Sequence, residues 1–143
     1  AQRGPLKLWR LLLKLAEVRL GAAAGSEAGA RAALEAAHGA LKQARSAPSL
    51  VGQARSHELL SEIHAQINLP ARAAEHRMAA IEAMKSLGDR RSTAQLLLRL
   101  ASDDLAAGAS ERAKTHLEEA RELAHAVEWR EGARQTNRLL SGV

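Results

Sequence analysis

The sequence predicts an all-α protein built from stacked helix hairpins, and three observations lead there. Of its 143 residues 46% are hydrophobic, most of them Ala and Leu, with no Phe, Tyr or Cys and only Trp9 and Trp129 as aromatics. Ala has the best intrinsic helix propensity, and the β-branched and aromatic residues that favour strands are scarce. Leu60, Leu100 and Leu139 mark a helix-pair unit that recurs about every forty residues, a period characteristic of stacked repeats. Turn residues fall between the apolar-periodic segments, at Gly21, Pro48, Pro70, Gly88 and Gly108.

The elements follow in order. A first helix is expected over about 6–20, with Leu8, Leu11, Leu12, Leu15 and Val18 at helical spacing and Lys7, Arg10, Lys14 and Glu17 opposite. Pro5 suits its first turn, and Gly21 and Gly25 offer exits. Ser26 is the expected cap of a second helix, whose stripe is Ala30, Ala33, Leu34, Ala37 and Leu41, closed by Pro48. Ser49 caps a third, burying Leu59, Leu60, Ile63 and Ile67, and Asn68-Leu69-Pro70 breaks it. Ala74, Met78, Ile81 and Leu87 are the expected inward face of a fourth. Gly88-Asp89 joins a stop to an N-cap for the fifth, which carries Leu97, Leu100, Ala101 and Leu105 and ends at Gly108. Ser110 caps the sixth, with Ala113, Leu117, Ala120 and Leu123 or Ala124 inside, and a last helix spans about 131–141. Short links make these antiparallel neighbours.

The repeat divides the single domain, 1–143, into units of about 6–47, 49–88 and 89–128 plus the terminal helix. Leu15 to Leu60 is 45 residues and Leu60 to Leu100 is 40. Arg99-Leu100-Ala101-Ser102 is echoed by Arg138-Leu139-Leu140-Ser141, and Asp89-Arg90-Arg91 by Trp129-Arg130-Glu131.

The third unit resembles a tetratricopeptide repeat. Leu97, Leu100 and Ala101 match the large–small pattern of that family's first helix, and Ala113, Leu117 and Ala120 match its second. Leu87-Gly88-Asp89-Arg90-Arg91 resembles the junction of longer bacterial repeats of this type, whereas His64 and Asp104 stand where an aromatic residue is usual. The resemblance implies a right-handed superhelical stack of about seven helices and a non-catalytic domain for protein–protein interaction. It further implies the regulatory part of a larger bacterial signalling or transcription protein. The family binds its partner in the groove lined by first helices. That places Arg10, Leu13, Glu17, Arg55, Glu58, Glu62, Leu98, Ser102 and Leu105 in the groove, with Arg134 and Arg138 extending it. Arginine presents a planar fork to carboxylates, so an acidic peptide is the expected ligand.

Other chemistries lack their residues. His57 and His64 lie about two turns apart, roughly 10.5 Å, too far for one ion, and His38, His76, His116 and His125 show no grouping in the sequence. No phosphate loop or nucleophile elbow occurs, and Glu118-Glu119 and Asp103-Asp104 diverge on a helix. No enzyme, cofactor or metal is therefore expected. The net charge of +5 is spread among both signs. Single-stranded nucleic acid would need aromatic platforms, so nucleic acid using the basic first helix (Arg3, Lys7, Arg10, Lys14, Arg19) is the alternative. The same helix could lie on an anionic membrane, which is not the expected partner. Self-association through Leu139-Leu140 is a third option. The absence of cysteine is compatible with a cytoplasmic setting, and the start at Ala1 suggests a piece of a longer chain.

Overall fold

In the computed structural model, residues 8–22 and 27–143 are described. They form seven α-helices and no strand: α1 (Leu8–Ala22), α2 (Glu27–Ser46), α3 (Leu50–Gln66), α4 (Pro70–Leu87), α5 (Arg90–Ala106), α6 (Ser110–Ala126) and α7 (Arg130–Ser141). The expectations at Pro5, Gly25 and Ser26 fall outside the described residues. None of these helices is long and apolar enough to cross a membrane. Two compact units are present, Ala1–Ala80 and Ile81–Val143.

From α3 onward the helices begin at 50, 70, 90, 110 and 130, a period of 20 residues. One backbone device sets it. The N–H groups of Ser49, Leu69, Asp89, Ala109 and Trp129 donate to the carbonyls of Ala44, His64, Met84, Asp104 and Ala124 at 2.8–3.0 Å. Each of these bonds reaches back five residues and satisfies a carbonyl that the helix end would otherwise leave open. The same five residues then start the next helix, accepting from Gln53, Ala73, Thr93, Ala113 and Ala133. In four of the five links the residue before carries a positive φ: Asn68 (63°), Gly88 (73°), Gly108 (76°) and Glu128 (56°). Side chains reinforce some starts. Ser49 Oγ accepts from Gly52 N–H at 3.0 Å and Asp89 Oδ1 from Ser92 N–H at 3.0 Å, each worth about 1 kcal/mol. Those bonds to Ser92 hold the Asp89 carboxyl below its usual pKa. Pro70 occupies the first helical position as expected. Ser110 does not cap α6: the cap is Ala109, with no side-chain bond, and Ser110 is already helical.

The period also corrects the register. Forty residues place Leu60 against Leu100 and Leu140, so the echo of Arg99-Leu100 by Arg138-Leu139 is one residue out.

In the first unit α2 packs along both α1 and α3. Trp9, Leu13 and Ala16 meet Ala33, Ala36, Ala37, Ala40, Leu41 and Ala44 of α2, and Leu59, Leu60 and Ile63 complete the cluster. Alanine at successive contact positions lets helix axes approach closely. Gly52 is equally necessary, because a Cβ there would lie 2.8 Å from the Trp9 ring and 2.9 Å from Ala44 Cβ. In the second unit α6 packs along α5 and α7. Ala94, Leu97, Leu100 and Ala101 are buried, as are Ala113, Leu117, Ala120 and Ala124 and then Ala133 and Thr136. Lys85 Nζ reaches Glu119 at 2.8 Å, which raises the lysine pKa.

Two expected inward faces differ from the buried ones, with Ile81 the expected α4 residue that is buried. On α1, Leu8, Leu11, Leu15 and Val18 are 43%, 61%, 40% and 61% exposed, and Leu12 is half-buried. The helix is apolar on two sides, and α2 covers the side that carries Trp9. On α4, Met78 and Leu87 face outward and Ala74 is half-buried, while Ala73, Arg77, Ala80, Ile81 and Met84 are buried. Ile67 and Leu105, at helix ends, are half-buried, and α6 buries Ala124 more fully than Leu123.

Because only glycine holds a positive φ without steric cost, Gly108→Ala should lower unfolding stability by about 1 kcal/mol in urea titrations. Glu128→Gly should raise it by a similar amount, its φ of 56° being strained for an ordinary residue. Equal effects of the same sign at both positions would contradict the link geometry.

Candidate functional site

Successive first helices leave a cleft between them in each unit. α1 and α3 both lie along α2. Hairpin neighbours alternate in direction, so α1 and α3 run the same way. Between them is a cavity of about 430 Å³ lined by Trp9, Arg10, Leu13, Lys14, Glu17, Arg55, Glu58, Leu59 and Glu62. Arg10, Leu13, Lys14 and Glu17 precede Arg55, Glu58, Leu59 and Glu62 by 45 residues each. The four positions follow 0, +3, +4 and +7, one face of a helix. All six residues expected in this part of the groove are brought together here.

In the second unit a cavity of about 240 Å³ is lined by Leu98, Arg99 and Ser102 of α5 and Gln135, Arg138 and Leu139 of α7. Leu98 and Arg99 precede Arg138 and Leu139 by 40 residues, so the same register positions line this cleft. Leu98, Ser102 and Arg138 thus share a site. Leu105 and Arg134 do not join them. Leu105 lies at the last turn of α5, and Arg134 lines a separate hollow with Trp129 and Arg130, where its Nη2 donates to Glu131 Oε2 at 2.9 Å. Arg134 is one residue before the cleft-facing Gln135, about 100° around the helix from it.

The two clefts differ in charge. In the first, Arg10 and Arg55 stand at one end, Glu17 and Glu62 at the other, with Lys14 and Glu58 between. The Arg10 guanidinium lies 5.3 Å from the Trp9 ring centroid, a cation–π contact that positions it at the cleft mouth. In the second, Arg99 and Arg138 are flanked by uncharged Gln135 and Ser102.

A grouping that the sequence spacing hid lies on α2, α3 and α4. His38, His57 and His64 surround His76. His57 Nδ1 and His76 Nδ1 are 2.9 Å apart, so one ring donates and the other accepts. The His64 and His76 rings stack at 5.2 Å and 3°, and the buried His64 Nδ1 has no hydrogen-bond partner. Spacing within one helix relates only His57 and His64, because His38 arrives from α2 and His76 from α4. Burial, then His57, His64, His38 and Arg45, lowers the His76 pKa to about 4. Burial, with Arg45 and His38, lowers that of His57; burial, with His38 and Arg72, lowers that of His64. Among the described residues no three His, Cys, Asp or Glu side chains are placed to hold a metal ion. In the second unit His116 Nδ1 donates to the buried Asp104 Oδ2 at 2.8 Å, with Arg112 Nε 3.9 Å from Oδ1. Asp104 is one of the two positions, with His64, at which the resembled repeat usually carries an aromatic residue.

The histidine cluster fixes a sign for the pH dependence. The folded state holds His76 neutral down to about pH 4, whereas the unfolded chain protonates near 6.5. Its stabilising contribution is complete above pH 6.5 and is lost as pH falls toward 4. Thermal melts followed by circular dichroism should therefore show stability falling across this window, and His76→Gln should flatten the fall. Identical slopes for the two chains would contradict the cluster.

The chain matches no protein-family model and no curated protein.

Proposed function

We propose that this chain is a tetratricopeptide-like helical-repeat domain that binds a protein or peptide segment without catalysing a reaction. The reading includes a right-handed stack of hairpins and a place in a larger regulatory protein. One observation supports it above the others. Clefts in two separate units are lined by the same register positions of first helices, as a surface built by repetition requires.

The charge layout of the first cleft narrows the ligand. Seven residues of helix separate Arg10 from Glu17 and Arg55 from Glu62, a rise of roughly 10.5 Å. An extended peptide advances about 3.3 Å per residue. A segment with an acidic side chain and a basic one about three residues apart would satisfy both ends. The arginine pair takes the carboxylate through bidentate hydrogen bonds, and the glutamate pair takes the cation. This modifies the expectation of a simply acidic peptide.

Site-specific photo-crosslinking in cells tests the reading. A photoreactive residue at Lys14 or Ser102 should capture a discrete partner, and Glu35 or Glu122 on the exposed faces of α2 and α6 should capture little. Arg55→Glu or Arg138→Glu should reduce capture at least tenfold. Equal labelling at cleft and control positions would overturn the assignment.

A further inference from the structure

The outer face of α1 is apolar and uncovered, whereas most of its counterparts on the other first helices are buried, and the exposed one on α5, Asp103, is polar. Leu11 is 61% exposed, whereas its register equivalents Ser56 and Thr136 are fully buried and Leu96 is 3% exposed. Leu15 is 40% exposed against 0% for Leu60 and 3% for Leu100. Val18 is 61% exposed against 0% for Ile63. Leu8 completes the stripe at 43%. Leu8, Leu11, Leu15 and Val18 recur at alternating steps of three and four, so they form one continuous seam along the helix.

What covers this face elsewhere is visible on α3. Leu60 and Ile63 share a core cluster with Ala36, Ala37, Ala40, Leu41 and Ala44, the alanine-rich side of α2. The end of a helical stack that meets water carries a polar outer face. The α1 face is the opposite of that. Four exposed large apolar residues in one seam mark an interaction surface more than scattered leucines would.

We propose that the α1 seam is a docking site for an amphipathic helix of a partner chain, with a small-residue contact face and acidic residues at its rim. The rim charge follows from the flanks of the seam, where Arg10 and Lys14 lie on one side and Arg19 on the other, all exposed. Two copies of α1 laid together would oppose these like charges, so a second copy of this chain is disfavoured. The seam adjoins the α1–α3 cleft and shares Arg10 and Lys14 with it as a common rim, but Leu8, Leu11, Leu15 and Val18 line no part of that cleft.

The test uses the intact chain and a synthetic helical probe. The probe has the sequence of residues 27–46, the segment that covers α3, with Arg31→Glu and Lys42→Glu to make its rim acidic. Fluorescence anisotropy should show saturable binding. A Leu11→Glu/Val18→Glu variant should bind at least tenfold more weakly with unchanged circular dichroism, as expected for positions this exposed. A probe that keeps its basic residues should also bind more weakly. Absence of saturable binding would overturn the proposal, as would equal binding by the variant. So would a wild-type chain that instead dimerises through α1 in sedimentation, or whose seam engages anionic vesicles in preference to the probe.

Discussion

The architecture depends on how each helix ends. A helix leaves its last carbonyls without partners, and here the N–H of the next helix's cap residue returns to take one of them. The bond from Leu69 to His64, or from Asp89 to Met84, does two things at once. It closes one helix and fixes where the following one begins. Repeated every 20 residues, it gives helices of nearly equal length joined by short links. Residues 20 apart therefore keep their burial, as Leu60, Ala80, Leu100 and Ala120 do, and so do Ala73, Thr93, Ala113 and Ala133. The buried stripes from α3 onward and the cleft between α5 and α7 are consequences of that arithmetic.

Alanine turns the register into packing. Along α2 the buried positions are almost all alanine, so α1 and α3 can both lie close against it, with Trp9 filling the space over Gly52. Small contact residues leave the larger side chains of first helices to project into the space between them. In the first unit those projections are arginines at one end and glutamates at the other. The histidine cluster belongs to the same packing. Burial first, and then the neighbouring histidines with Arg45 or Arg72, holds His57, His64 and His76 below the usual imidazole pKa.

Local chemistry made much of this legible. Ser49, Asp89, Pro70, Gly88 and Gly108 declare their roles through side-chain caps, a fixed φ and a tolerated positive φ, and the structure uses them so. Asn68 and Glu128 adopt the same conformation without glycine, so the period of the links was only partly visible. The Ala109 and Trp129 caps carry no side-chain bond, and only the echo of Asp89-Arg90-Arg91 by Trp129-Arg130-Glu131 pointed to the second. The α1 stripe misled because hydrophobic periodicity finds an apolar face but not which of two faces a neighbour will cover. The clefts were found through family resemblance, which supplied the pairing of first helices. The histidine cluster needed four residues from three helices and no sequence spacing predicts it.

The central claim is that first helices run parallel and in register, so that equivalent positions face one cleft. The chain has no native cysteine, so pairs of introduced cysteines can be spin-labelled without background. Double electron–electron resonance between positions 10 and 55, 17 and 62, 10 and 62, and 17 and 55 measures the arrangement directly. Parallel, in-register helices give short, narrow and similar distances for 10–55 and 17–62, with both diagonals longer. Diagonals shorter than the matched pairs, or broad distributions throughout, would contradict that arrangement.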